Sequence, residues 1–384
     1  MTERAIAAVY MRGGTSKGVF FRKDALPADA GARDAILLRV IGSPDVYGKH
    51  IDGMGGATSS TSKVVLVAKS QRPDCDVDFL FGAVAIDRPI VDWSGNCGNL
   101  TAAVGPFAIR EGFVQPTLDG ICAVRIWQEN IGKRIVAHVP VAGGEVVEDG
   151  SFEVDGVAFP GAEIRIEFLD PAGAAGAPLL PTGSPRDRLE VEGVASFDAT
   201  LINAGNPTVI VAATALGLAG TEMQADVNRD AALLDRCERI RAHAAVIMGI
   251  ATSPEQATRD RPATPKLAFV AAPATYRASS GKTVEGRCID AVTRMLSMGQ
   301  LHHALPGTGA IALAVAGALP GTVLHDLLPP STAAASGLRF GHPSGTLVVG
   351  AQAGERDGRW HIDKVVVSRS ARRLMTGHVH VPGH

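Results

Sequence analysis

Two stretches of this chain, residues 99–111 and 308–318, are built almost wholly of small and apolar residues. A helix that is apolar all round has no face to offer water and must be enclosed by other elements. The longest apolar run, residues 309–319, is too short to cross a bilayer, so the enclosure has to be protein. Each stretch also follows directly on a glycine-bearing turn, Asn96-Cys97-Gly98-Asn99 in one case and Pro306-Gly307-Thr308-Gly309 in the other. The chain therefore reads as two halves, each feeding one buried helix into a core from a loop at its rim.

Strands supply the enclosure. Residues 6–10, 63–67, 77–81, 122–127, 134–139, 163–168, 201–212, 265–270 and 345–349 are β-rich, with turn signals such as Arg72-Pro73-Asp74 at their edges. Two more helices are expected: one over 30–41 with its apolar residues on one side, and a long one over 226–248, charged on one face. Each half thus supplies strands and one buried helix, a mixture of α and β elements. The Ala-, Gly- and Pro-rich stretch 171–188 is the expected boundary, giving domains at 1–185 and 186–371. A last strand near 372–384 is free to return to the first domain.

Composition narrows the functional classes. With 384 residues, 46% hydrophobic and 20% charged, the chain can bury large cores and does not resemble a disordered one. A net charge of −2 leaves no general basic footprint, which excludes nucleic acid and anionic membranes as the expected partners. Glu3 and the short apolar stretch ending at Arg12 do not make a signal peptide, so a cytoplasmic protein is expected. The five cysteines, Cys75, Cys97, Cys122, Cys237 and Cys288, are odd in number and include no C-x-x-C pair, unlike a disulfide framework or a zinc site. No H-E-x-x-H or Cys/His cluster accompanies His302, His303, His342, His378, His380 or His384, so no metal is expected.

Two loops are dense in glycine, hydroxyls and charge: Arg12-Gly13-Gly14-Thr15-Ser16-Lys17-Gly18, and residues 53–63, which end in Ser62-Lys63. Neither is a phosphate loop, because serine stands where that loop needs glycine before its lysine, and Gly18 and Val64 follow. Read alone, they are equally surface turns or binding loops for a small polyanion. Cys97 is more pointed. It lies immediately before a buried helix, where free N–H groups and the helix dipole stabilise an anion, and its Asn and Gly neighbours are not what a packing cysteine needs.

Taken together, Met11 to Gly18, Ile51 to Gly56 with Ser62-Lys63, and Asp92-Trp93-Ser94-Gly95-Asn96-Cys97-Gly98-Asn99 resemble the PrpF family of tricarboxylate isomerases. The stretch 47–63 is most similar to its 2-methylaconitate branch. The likeness resumes at Asn203 to Pro207, at 298–310 and at 340–347. It implies an α+β, diaminopimelate epimerase-like fold: two similar domains that each wrap β-sheets around a central buried helix, with the active site in the interdomain cleft. Epimerases of that fold use one cysteine before each central helix. Cys97 matches the first, but Pro306 stands at the second position and cannot carry a proton. In PrpF-type members the first cysteine is paired instead with a lysine, which corresponds to Lys63.

The resemblance thus implies a cofactor-independent cis–trans isomerase of 2-methylaconitate, in the 2-methylcitrate route of propionate catabolism. Lys63 and Cys97 would be catalytic. Thr15, Ser16, Lys17, Asn96, Gly98, Asn99, Asn206, His303, Gly307, Thr308, Gly309 and Ser344 would bind a tri- or dicarboxylate. No cofactor is expected, and a homodimer is compatible with all of this. The alternatives are a tautomerase or double-bond-shifting isomerase of oxalomesaconate-like acids, and a carboxylate-binding protein without catalysis.

Overall fold

The computed structural model describes residues 4–173, 177–330, 332, 337–356 and 359–382. Residues 174–176 of the expected boundary stretch, and 383–384 with His384, lie outside the described residues. Two compact units emerge: Met1–Val154 with Phe159–Ile166 and Arg369–His384, and Asp155–Ala158 with Glu167–Ser368.

The first unit opens with the hairpin β1 (Arg4–Gly13) and β2 (Ser16–Arg22), closed at the Gly13–Ser16 pair. Helix α1 (Ala30–Ile41) follows. Asp29 caps its first turn by accepting from the Ala32 N–H, and Gly42 ends it with φ 85°. Strand β3 (Lys63–Lys69) then lies parallel to β2, with Val19 beside Val64, and β4 (Val77–Val84) pairs antiparallel with β3. Helix α2 (Gly98–Arg110) packs on β1, β2, the strands Gly120–Gln128 and Lys133–Ala142, and the C-terminal strand Ala371–Val381, which pairs with β1.

Strand alternation decides which side chain meets which helix. Ile6, Ala8, Val19, Phe21, Val64 and Leu66 pack with Leu37, Val40 and Ile41 of α1. The intervening residues face the other way, where Phe20 meets Phe107 of α2 with ring centroids 5.6 Å apart. Lys63 shares that second face with the fully buried Val65 and Val67.

The second unit repeats this frame. The matching strands are β5 (Ala195–Ala204), β6 (Asn206–Ala212), β7 (Lys266–Ala271) and β8 (Ala291–Ser297). Its two longest helices are α3 (Ala231–Ile247) and α4 (Gly307–Ala318). Pairing is again antiparallel, parallel, antiparallel, and Thr208 of β6 stands beside Lys266 of β7. Leu233, Cys237 and Ile240 of α3 pack with Leu201, Val209, Val211, Leu267 and Phe269, while α4 packs on β5, β6 and the strand Gly345–Arg356.

Two expectations need correction. The apolar run 201–212 is not one strand, because Gly205 adopts φ 67° and reverses the chain between β5 and β6. The helix expected over 226–248 is broken: a short helix, Gln224–Asn228, ends first, and Asp230 then caps α3 by accepting from the Leu233 N–H.

Candidate active site

In the first unit the head of α2 is wedged against the β1–β2 turn. A Cβ on Gly13 would lie 2.5 Å from the Asn99 carbonyl oxygen and 2.9 Å from the Leu100 Cα, so only glycine permits this approach. The Asn99 side-chain amide donates to Thr15 Oγ1 at 2.9 Å. Its Oδ1 accepts from Arg369 Nε at 2.9 Å. Cys97 is the N-cap residue of α2, and its Sγ accepts from the Leu100 N–H at 3.5 Å, so the sulfur sits at the positive end of the helix. Asn96 Oδ1 in turn accepts from the Cys97 N–H at 2.6 Å.

Lys63 reaches the same neighbourhood through Gly18. A Cβ on Gly18 would touch both the Lys63 Cβ and the Leu100 Cδ1, each at 3.1 Å, so the lysine stem and the first turn of α2 flank one glycine. The Lys63 Nζ lies 5.0 Å from the centroid of the Phe81 ring. Ser16 is buried, with an Oγ that has no hydrogen-bond partner. The Lys17 N–H donates to the Ser60 carbonyl, which ties the two glycine-rich loops together.

The expected residues of the second unit include two hydrogen-bonded pairs, Asn206 with Thr308 and Ser344 with His303, and the first turn of α4. Asn206 Nδ2 donates to Thr308 Oγ1 at 3.0 Å. At the β5–β6 turn Gly205 takes the part that Gly13 plays in the first unit: a Cβ there would lie 2.9 Å from the Thr308 carbonyl oxygen. Gly309 sits directly on the Met295 side chain. The Met295 carbonyl accepts from the His302 N–H, and His302 stacks on His303 at 4.7 Å. Ser344 Oγ donates to the His303 carbonyl at 2.5 Å. Tyr276 fixes the turn that carries Ser344 by donating to the carbonyls of His342 and Gly345; burial pushes its phenol up to about 12. Gly307 opens α4, and Pro306 gives that helix no side-chain cap.

Arg369 is not among the expected site residues. It is wholly buried; desolvation pushes its guanidinium down to about 10, and the nearby Cys97 opposes that shift, so it stays charged at neutral pH. The signal for it lies in the alternation of Val365, Val367 and Arg369, which places an arginine on an otherwise apolar inward face. The other cysteines differ from Cys97. Burial pushes the thiols of Cys75 and Cys122 up and that of Cys237 up to about 12, while Cys288 is exposed. Among the described residues no three His, Cys, Asp or Glu side chains gather as a metal site would require, and no helix is long and apolar enough to cross a membrane.

Comparison with known proteins decides the family. The PrpF protein family matches residues 3–382. This chain belongs to the PrpF family. It is 55% identical to a 2-methyl-aconitate isomerase of Shewanella oneidensis over 98% of this chain and 97% of that one. A 2-methyl-aconitate isomerase of Cupriavidus necator is 54% identical over the same shares. A 4-oxalomesaconate tautomerase of Pseudomonas putida is more distant, at 39% over 91% and 90%. Among solved structures, a methylitaconate-delta-isomerase has a TM-score of 0.77 at 38% identity, covering 99% of this chain and 96% of its own. A hydroxyproline epimerase from Agrobacterium vitis, at 12% identity and a TM-score of 0.56 over 99% and 94%, shares the fold alone. The chain thus has the α+β, diaminopimelate epimerase-like fold, in agreement with its two buried helices.

Proposed function

We propose that this protein is an isomerase of 2-methylaconitate, interconverting the trans and cis acids by removing and returning one allylic proton. Identity of more than half along nearly the whole chain to two 2-methyl-aconitate isomerases carries the reading. The geometry of the first unit supplies chemistry that suits it.

The substrate has three carboxylates and a CH₂ group next to its double bond. Lys63, as the neutral amine, takes one CH₂ proton, and the electron pair of that C–H bond spreads over the allyl system and its carboxylates. The former double bond then has single-bond character and rotates. Lys63, now the ammonium, returns the proton to the same carbon, so atoms and charge balance without a redox partner. Cys97 stands by as the assisting acid at the head of α2, whose N–H groups at Gly98 and Asn99 stabilise negative charge developing on a carboxylate. Thr15, Ser16, Lys17 and Asn96 orient carboxylates in this unit. Asn206, His303, Gly307, Thr308, Gly309 and Ser344 do so in the second.

The test is turnover of 2-methyl-trans-aconitate in heavy water, followed by ultraviolet absorbance and NMR. Isomerisation with deuterium on the carbon that lost hydrogen, on one prochiral face, is the expected result. Lys63→Ala and Cys97→Ala should each lower turnover by about 10²- to 10⁴-fold while remaining folded. Deuterium at the far allylic carbon would instead make the enzyme a double-bond-shifting isomerase. Binding without any spectral change, at any protein concentration, would reduce it to a carboxylate-binding protein.

A further inference from the structure

The repeated frame allows each unit to be read against the other. In the first, the hairpin pair Gly13–Ser16 is followed two residues later by Gly18, which precedes the Val19–Val64 pair and so stands beside Lys63. In the second, the pair Ala204–Asn206 is followed two residues later by Thr208, which stands beside Lys266. The helix heads agree with this register. Gly13 approaches the carbonyl of Asn99, the second residue of α2, and Gly205 approaches the carbonyl of Thr308, the second residue of α4. Lys266 therefore holds in β7 the position that Lys63 holds in β3.

The two lysines share more than register. Lys63 alternates with Val64 and Leu66, which pack on α1, and Lys266 alternates with Leu267 and Phe269, which pack with α3; both lysines thus lie on the face of the central helix. They are almost equally buried, at 8% and 7% exposure. Lysine is among the residues least often buried, since withdrawing an ammonium from water is costly. The Lys266 Nζ donates to Ser297 Oγ at 2.9 Å and to the Ala263 carbonyl at 3.4 Å. Its surroundings are those of the unit's expected substrate contacts. Thr208, alongside it, donates to the Asn206 carbonyl, and Met295, two residues before Ser297 in β8, lies under Gly309.

We infer that Lys266 is a substrate-contacting residue, the second unit's counterpart of Lys63, and that its ammonium takes a carboxylate of the substrate. The inference rests on the isomerase reading above and adds a specific charged contact to it. No proton need move through Lys266. It exchanges the Ser297 hydroxyl for a carboxylate oxygen when substrate binds, forming a charge-assisted hydrogen bond.

The probe is tricarballylate, a saturated tricarboxylate that cannot isomerise, with affinity measured by calorimetry on the full chain. Lys266→Gln should weaken tricarballylate binding and raise KM for 2-methylaconitate, each by about 10- to 100-fold, with a smaller change in kcat. Lys266→Arg, which keeps the charge, should recover part of both. Unchanged affinity and KM in a folded Lys266→Gln protein would overturn the inference. Should that variant fail to fold, amine labelling of the wild type read by mass spectrometry replaces it. Tricarballylate should protect Lys266, and equal labelling with and without it would overturn the inference. Wild-type protein that isomerises no aconitate refutes the proposed function instead. Wild-type turnover combined with an unaffected Lys266→Gln refutes only the role given to Lys266.

Discussion

Gly13→Ala tests whether the fold holds the proposed catalytic groups in place. The added methyl carbon would stand 2.5 Å from the Asn99 carbonyl oxygen, 2.9 Å from the Leu100 Cα and 3.3 Å from the Ala103 Cβ. The two nearest atoms belong to the backbone and cannot rotate aside. Restoring ordinary contact requires β1 and α2 to part by roughly 1 Å. Overpacking of this kind typically costs about 1–3 kcal/mol, which for a unit of this size lowers the melting temperature by about 2–4 °C per kcal/mol. The same parting moves Cys97 and Asn99 away from Lys63, and a misplacement of about 1 Å can cost about 10²-fold in rate. The control is Gly377→Ala in the strand paired with β1, where a Cβ meets nothing within 4 Å; it should be neutral or stabilising by about 0.4–1 kcal/mol. Calorimetric melting and steady-state kinetics on both variants decide the matter. A Gly13→Ala protein with wild-type melting temperature and turnover would refute the argument. One that melts early but keeps its kcat would show that the contact stabilises the fold without positioning the chemistry.

Three further outcomes are expected. The Cys237 thiol and the Tyr276 phenol are both pushed up to about 12 by burial, so the folded state holds protons that the unfolded chain releases from about pH 9 to 10 upward. Urea-unfolding stability should therefore be level below that range and fall as pH rises towards 12, with a shallower fall in Cys237→Ala; an equally steep fall would count against Cys237 as a source. Iodoacetamide at neutral pH should modify the exposed Cys288 first and spare Cys75, Cys122 and Cys237, as read by peptide mass spectrometry. Arg369→Ala removes a donor to the buried Asn99 Oδ1 and should cost about 1–3 kcal/mol and lower kcat, checked by melting and kinetics; unchanged kcat would confine Arg369 to stability.

The parts of this fold that are legible in the sequence are those imposed by solvent. The all-apolar stretches behind Cys97 and Pro306 could only be enclosed helices, and the structure has them as α2 and α4. The amphipathic pattern over 30–41 matches α1 at both ends. Where burial is two-sided the signal weakens. Over 201–212 the apolar residues on either side read as one strand, although Asn203, Gly205, Asn206 and Pro207 break the run where Gly205 reverses the chain between β5 and β6. The site is legible where several unusual residues are adjacent, as at Asn96-Cys97-Gly98-Asn99. Arg369 and Lys266 escape notice, since a single charged residue at the end or start of a strand ordinarily points to water. Only the register reveals that both point inward.

The unequal heads of α2 and α4 fit a reaction at a carbon that is prochiral and not stereogenic. Inverting a stereocentre demands a donor and an acceptor on opposite faces of one carbon, which two helix-capping thiols could supply. Moving a proton off a CH₂ group and back makes no such demand, because either hydrogen will do and the product has no centre to invert. One acid–base group on one face suffices. Cys97 occupies the N-cap of α2 and engages the Leu100 N–H, whereas Pro306 at the same place on α4 leaves the first-turn N–H groups without a side-chain cap. The proposed one-base reaction needs no second thiol there, and the first-turn N–H groups are donors suited to a carboxylate. The lysines are arranged differently. Both units have one at the start of the third strand of the repeated frame, and that of the second unit is the one inferred above to meet a carboxylate.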